Sequence, residues 1–400
     1  MNILRFYLRE VITVNYFDYA ATTPLHPEAA RVYNKLSQSC YGNTTSLHEV
    51  GAEAENMLAY CRTQFAEMLG VESNGIYFTA GGTESNLLSI ISLAKANRHK
   101  GNHIVTTLGE HPSIDSALEY LKDDGFLISK IPFAKNGVVN LDLLADALTD
   151  KTILVSVQHS NPEIGTIQPI EKIERITKER GILLHCDCIQ SFGKVDIKPI
   201  ANIVDSLTIS GHKIYGPKGV GIAYIHPRHR VVPVFSGLVH ESGFRGGTVN
   251  VPAIAALAVA AKLVTEPEVI ENRFKRYRED FITRINKHRD FFTLFDYCEE
   301  ENKQLPHIIG LRVHNVEGQL IMLELNRHGF AVSTGSACQV GQQTSSKAMM
   351  ALQLAAQQSR EFIRISFGES TTTANVNALA DCLILIRQKM DRNKTKIGPL

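Results

Sequence analysis

One lysine in the run Ser210-Gly211-His212-Lys213-Ile214-Tyr215-Gly216-Pro217-Lys218-Gly219 stands where amine chemistry is favoured. It follows an apolar stretch ending in Thr208-Ile209-Ser210 and precedes a turn rich in Gly and Pro, the place where a strand gives way to a loop. Burial and the neighbouring His212 both disfavour an ammonium, and a lysine so placed becomes a nucleophile. The use that fits is an imine with an aldehyde cofactor; the bland alternative is a solvated Gly-Pro-Lys-Gly turn. A nucleotide P-loop is not supported, because Lys218 precedes Gly219 and Val220 follows it.

Three further features bear on that choice. Gly75–Thr79 reads as a short strand, Ala80-Gly81-Gly82 as a turn, and Thr83-Glu84-Ser85-Asn86 as the opening of an amphipathic helix to about Asn97. Free amides and the positive end of the helix dipole make that start a cup for phosphate, to which the Thr83 hydroxyl either adds or merely caps the helix. His185-Cys186-Asp187-Cys188 has metal-ligand residue types, but in an extended strand His185 and Asp187 share one face and the two cysteines the other. Core thiols beside a functional acid fit that geometry better. Asp187, 26 residues before Lys213, suits the protonated ring nitrogen of pyridoxal phosphate, and His111 suits a role facing its ring or moving protons.

These groups need a scaffold, and the chain has the length for one. Four hundred residues exceed what one core usually supports, so one large and one smaller domain are expected. With 42 basic and 41 acidic side chains, neither nucleic acid nor an anionic membrane surface is the expected partner. The seven cysteines form no regular framework, which favours free thiols in a reducing compartment. Residues 1–15 are interrupted by Arg5, Arg9 and Glu10 before any signal-peptide core forms, no run reaches a membrane span, and a soluble cytoplasmic protein with an N-terminal arm outside the core is expected.

Strand signals alternate with helix signals at 103–107, 126–132, 153–157, 181–188, 204–209 and 221–225, which predicts an α/β fold with a mostly parallel sheet covered on both faces. In such a sheet the ligand lies off the carboxyl ends of the strands. Glu110-His111, Gln158-His159, Asp187 and His212-Lys213 are expected on that one rim. Beyond Pro267, strands at 308–313 and 361–367 and helices at 316–327 and 373–389 predict a smaller α/β unit.

The chain from Tyr16 to about Leu385 resembles the cysteine desulfurases, the NifS/IscS branch of the class V aminotransferase superfamily. The likeness rests on Asp18-Tyr19-Ala20-Ala21-Thr22-Thr23-Pro24, Gly82-Thr83-Glu84-Ser85-Asn86, Glu110-His111, His185 to Ser191, Ser210 to Gly219, Arg245-Gly246-Gly247-Thr248 and Ser333-Thr334-Gly335-Ser336-Ala337-Cys338. It implies a fold-type-I pyridoxal phosphate enzyme, a homodimer, with a seven-stranded sheet in a large domain (16–266) and a small domain (267–400) carrying a mobile cysteine loop at 333–346.

By the same resemblance Lys213 is the Schiff-base lysine, Asp187 the partner of the ring nitrogen and Gln190 a donor to the ring's phenolic oxygen. Gly82, Thr83, Ser210 and His212 surround the phosphate, with Thr248 contributed by the neighbouring subunit. His111 stacks on the ring and assists proton transfer, Arg364 grips the substrate carboxylate, and Cys338 receives sulfur as a persulfide. The implied substrate is L-cysteine, the product alanine, and the acceptor an iron-sulfur scaffold protein. The block Gln339-Val340-Gly341 with Ser346-Lys347 resembles the bacillus-type NifS paralogues linked to NAD biosynthesis.

One position departs from the pattern. Where relatives carry Asn-Asn-Glu, this chain has Asn161-Pro162-Glu163, and Pro162 has no donor to offer the ring oxygen or substrate. Either Asn161 shifts in or Gln190 and a water replace the lost contact. A different pyridoxal phosphate lyase such as a selenocysteine lyase, an aminotransferase, and a catalytically silent partner of iron-sulfur assembly are the competing readings.

Overall fold

The computed structural model describes residues 14–264, 267–296, 303–334 and 346–396. Its strands are β1 (Asn15–Tyr16), β2 (Ile76–Thr79), β3 (His103–Thr107), β4 (Leu127–Ile131), β5 (Thr152–Gln158), β6 (Leu183–Asp187), β7 (Ser206–Ser210), β8 (Gly221–Ile225), β9 (Phe292–Leu294), β10 (Ile308–Val313), β11 (Phe330–Ala331) and β12 (Phe362–Ser366). The large sheet has seven strands in the order β2-β8-β7-β6-β5-β3-β4. Strands β4, β3, β5, β6 and β7 run parallel to one another, and β8 is antiparallel to both its neighbours. This is the α/β sheet expected from the sequence.

Every residue of β3, β5, β6, β7 and β8 is buried, because helices cover both faces. The helices Pro112–Asp123, Leu141–Ala147 and Ile170–Glu179 supply the crossovers that parallel neighbours require. Between β7 and β8 the chain reverses direction without a crossover, so residues 211–220 form a loop off the C-terminal end of β7. Lys213 lies on that loop.

The second unit is built on the antiparallel sheet β12-β10-β9, packed against the helices Pro267–Ile285, Gly318–Arg327 and Thr373–Lys396. Its core gathers Phe281, Leu311, Ile321, Ile363 and Leu379, all fully buried. Phe17 belongs to this core too, and β1 pairs parallel with β11 through Asn15 N–H to Gly329 O and Phe17 N–H to Ala331 O, each 2.8 Å. The start of the described chain is therefore tied to the C-terminal unit before it crosses to the large sheet.

Two elements differ from the sequence expectation. The helix expected at 316–327 begins at Gly318, because Asn315 adopts a positive φ and Glu317 is extended as the N-cap. The helix Val251–Leu263 carries Ile254-Ala255-Ala256-Leu257 and is apolar on nearly all sides, so no amphipathic period marks it. It is packed where Ala256 and Ala260 meet Ala29 of the helix Pro27–Ser39.

The loop leading to that helix is held by a buried ion pair. Glu241 and Ser242 both adopt left-handed backbone conformations, with φ of 50° and 55°. The Glu241 carboxylate accepts from Arg62 Nη1 at 2.9 Å, Arg62 Nη2 at 2.8 Å and Phe78 N–H at 2.7 Å. Removing the carboxylate leaves the buried Phe78 N–H unpaired and the partly exposed Arg62 without its partner, which costs about 1–3 kcal/mol. Glu241→Ala is expected to lower the unfolding free energy by about that amount, measured as a drop in urea midpoint at unchanged slope.

Candidate active site

The C-terminal ends of β5, β6 and β7 open on one side of the sheet, where a cavity of about 960 Å³ lies. Gln158, Asp187 and Ser210, the last residues of those strands, all line it, as do His111, His212 and Lys213. Glu110 and His159 turn away from the cavity into the interior. Glu110 receives Thr107 Oγ1 at 2.7 Å and Gln158 N–H at 3.1 Å, and burial pushes its carboxyl up to about 8.

Lys213 is positioned by a second segment laid against its turn. Thr23 N–H donates to His212 O at 2.8 Å, Tyr215 N–H to Thr23 Oγ1 at 2.8 Å, and His26 N–H to Tyr215 O at 2.9 Å. This pairing sets Ala20 and Ala21 over the lysine, whose Nζ donates to their carbonyls at 2.6 and 2.8 Å. Gln190 Nε2 donates to the same Ala20 carbonyl at 3.0 Å. His212 Nδ1 lies 3.1 Å from Thr22 Oγ1, and burial together with the positive charges of Lys213 and Lys218 lowers its pKa to about 4.

At the other end of the cavity the helix Gly82–Ala96 points its first-turn amides into the opening. Gly81, its N-cap, has a φ of +148°, which a side chain would strain. A Cβ on Gly82 would come within 2.3 Å of Ile189 Cδ1 and 3.2 Å of Ser210 Cβ, so a side chain there would have to displace Ile189 and crowd Ser210. Thr83 is exposed at this helix start, and the buried Ser210 Oγ has no hydrogen-bond partner. Asp187 accepts from Asn86 Nδ2 at 2.8 Å and from Ile189 N–H at 2.9 Å. Strand alternation separates the faces as expected: Cys186 and Cys188 lie with sulfurs 3.8 Å apart, away from His185 and Asp187.

The remaining expected site residues lie elsewhere. Arg364, on β12, donates to Asp18 Oδ1 at 2.6 Å and to Pro162 O at 3.0 Å, and it sits behind the cavity lining. Asn161 does not shift into the cleft. It is fully buried, and its Oδ1 accepts from Glu163 N–H at 2.9 Å and Ile164 N–H at 3.0 Å, closing a local turn that leaves Pro162 on the lining. Thr248 is exposed and away from this cavity, and Cys338 lies outside the described residues. Asn86 and Asp18 had no role assigned from sequence; Asn86 shares the buried face of its helix with Ser85, Ser89 and Ser92, so no local pattern singles it out.

The sequence model described as aminotransferase class V matches residues 15–379. The chain belongs to the class V aminotransferase family. It is 44% identical to a relative named NifS from Bacillus subtilis strain 168 over 365 residues, covering 91% of this chain and 92% of the relative. It is 36% identical over 388 residues to the cysteine desulfurase IscS of Rickettsia felis, covering 96% and 93% of the two chains. A solved structure of a NifS-like protein superposes with a TM-score of 0.84 at 28% identity, covering 93% of this chain and 99% of that one.

Pyridoxal phosphate, which the class V resemblance implies, fits this donor set. The orphaned Ser210 hydroxyl, the bare Gly81-Gly82 turn and the helix amides suit a phosphate; Asp187 suits a protonated ring nitrogen, and Lys213 an aldehyde.

The site's histidines give this family member a predictable acid sensitivity. Burial lowers the pKa of His185 from 6.5 to about 3, and His212 falls to about 4. Both stay neutral in the folded chain while the unfolded chain protonates near 6.5, so their stabilising contribution is complete above about pH 6.5. It is lost as pH falls through the folded values. Urea unfolding across this window should show stability falling by up to about 1.4 kcal/mol per pH unit for each group, and His185→Asn should reduce that slope by about one proton.

Proposed function

We propose that this chain is a pyridoxal phosphate-dependent cysteine desulfurase. It converts L-cysteine to L-alanine and passes the sulfur through a Cys338 persulfide to an acceptor protein of iron-sulfur or other sulfur-cofactor assembly. The observation that carries the reading is the meeting of Lys213, Asp187, His111 and the Gly82 helix start on one cavity. Relatives named as cysteine desulfurases along nearly the whole chain support it.

The cofactor, when bound, supplies an electron sink for the pair left on the three-carbon fragment as the carbon–sulfur bond breaks. Lys213 Nζ would hold the aldehyde and, when free, would carry a proton at the reacting carbon. Asp187 keeps the ring nitrogen protonated. Ser210, His212, Thr83 and the helix amides hold the phosphate, and Gln190 serves the phenolic oxygen. Arg364, whose guanidinium is here held by Asp18 and Pro162 O, would recognise the substrate carboxylate on exchanging those partners, a task that suits a guanidinium. The Cys338 thiolate forms the sulfur–sulfur bond that leaves alanine as product.

We assign residues 16–266 to the cofactor-binding domain and 267–400 to a smaller domain that brings Arg364 and the 333–346 segment to the cleft. The exposed Thr248 suits a homodimer in which each copy completes its partner's phosphate site. Among the described residues no helix is long and apolar enough to cross a membrane, and a cytoplasmic setting agrees with the free thiols. Pro162 on the cavity lining is the one feature that favours a catalytically silent partner protein instead.

The purified protein with cysteine and dithiothreitol separates these readings: alanine plus sulfide marks the desulfurase, a 2-oxo acid an aminotransferase, and no turnover a silent partner. Lys213→Ala should prevent reductive trapping of the cofactor on the chain and cut turnover by roughly 100-fold or more. Cys338→Ala should keep the yellow colour of the cofactor and lose persulfide formation; full-rate sulfur transfer by that variant would remove Cys338 from the mechanism.

A further inference from the structure

Behind the cavity, hydrogen bonds join Asp187 to His111 through two residues that have no assigned role. Asn86 is fully buried, and its Nδ2 donates to Asp187 Oδ2 at 2.8 Å and to Ser113 Oγ at 3.0 Å. Its Oδ1 receives Thr208 Oγ1 at 2.6 Å and faces His185 Nε2 at 3.3 Å. An amide offers two N–H donors and two acceptor positions, so Asn86 is saturated. Its orientation is fixed as well, because a flipped amide would set its oxygen against a carboxylate that only accepts.

The consequence passes along the line. Ser113 Oγ accepts from Asn86, which leaves its own proton for His111 Nδ1 at 2.8 Å. Ser113 N–H also donates to that nitrogen at 3.1 Å. A backbone N–H can only donate, so Nδ1 is an acceptor twice over and the neutral ring carries its proton on Nε2. The His111 ring caps the helix Pro112–Asp123 through Nδ1 while lining the cavity, which leaves the Nε2 edge to meet an occupant.

We infer that Asn86 and Ser113 are positioning residues that lock His111 in the Nε2–H tautomer, making it a hydrogen-bond donor to the occupant of the cleft and not a base. A second proton would have to enter at Nδ1, where two donors already point. Burial opposes the imidazolium further and, with the Lys213 and Lys347 charges, outweighs the attraction of Asp187 and Asp115. Proton movement at the reacting carbon then falls to Lys213 Nζ. Its relevance to catalysis rests on the proposed cofactor reading, whereas the tautomer is a property of this chain's own side chains.

The test is a long-range proton–nitrogen NMR correlation on protein labelled with 15N-histidine, with the His111 signals assigned by their loss in His111→Gln. The expected spectrum is that of Nε2–H imidazole, unchanged from mildly acidic to mildly alkaline pH. Ser113→Ala and Asn86→Ala, which leave the Ser113 N–H as the one fixed donor to Nδ1, should shift the signals partway towards a mixture with Nδ1–H or towards imidazolium, and Ser113→Thr, which keeps the hydroxyl, should retain the wild-type pattern. A wild-type ring in the Nδ1–H or doubly protonated form overturns the inference. So does a tautomer indifferent to both alanine variants; should Asn86→Ala not fold, the Ser113 pair decides. Cofactor loading is scored separately by colour and by reductive trapping on Lys213. Failure there removes the functional reading while the spectrum still judges the tautomer.

Discussion

The contact between Lys213 and the carbonyls of Ala20 and Ala21 is the constraint around which this structure is arranged. It joins a turn off β7 to a segment nearly two hundred positions earlier in the chain. That segment reaches the lysine only because Thr23 and His26 bond to the backbone of His212 and Tyr215. Carbonyl dipoles orient the Lys213 nitrogen without placing a formal negative charge beside it. Gln190 uses the same Ala20 oxygen, so the amine and the amide that flank the cavity share one anchor.

Around this contact, the parallel sheet places chemistry by direction alone. Strands β5, β6 and β7 run the same way, so Gln158, Asp187 and Ser210 end on one side. The helix Gly82–Ala96 adds its N-terminus to that side and its buried Asn86 beneath it. One amide then relates the carboxylate and the imidazole that face the same cavity. The C-terminal unit adds contacts of its own. Arg364 N–H donates to Ser333 O at 2.6 Å while its guanidinium reaches Pro162 O at 3.0 Å, and Ser346 Oγ bonds to Glu163. Both units therefore meet at the short turn 161–164, where Asn161 is committed to backbone amides and proline faces the cleft.

Much of this was legible in the residues themselves. The alternation of apolar strands and helices specified the mostly parallel sheet, since only doubly covered strands read as continuous apolar runs. The Gly-Gly turn before a helix, and an acid and a lysine at strand ends, marked the cavity because local geometry dictates where such residues lie. The helix Val251–Leu263 escaped notice for the reverse reason: a helix buried on nearly all sides shows no polar face.

The amino-acid sequence by itself determined the strands and helices, the strand-end positions of Asp187 and Lys213, and the separation of His185 from Cys186, because these follow from backbone periodicity over a few residues. Only the tertiary structure decided that Asn161 turns inward, that Arg364 is paired with Asp18, and that Asn86 links Asp187 to His111. Those outcomes depend on which hydrogen-bonding groups meet across distant segments. A buried polar atom takes whichever partner the packing brings within reach, and no local pattern records that choice.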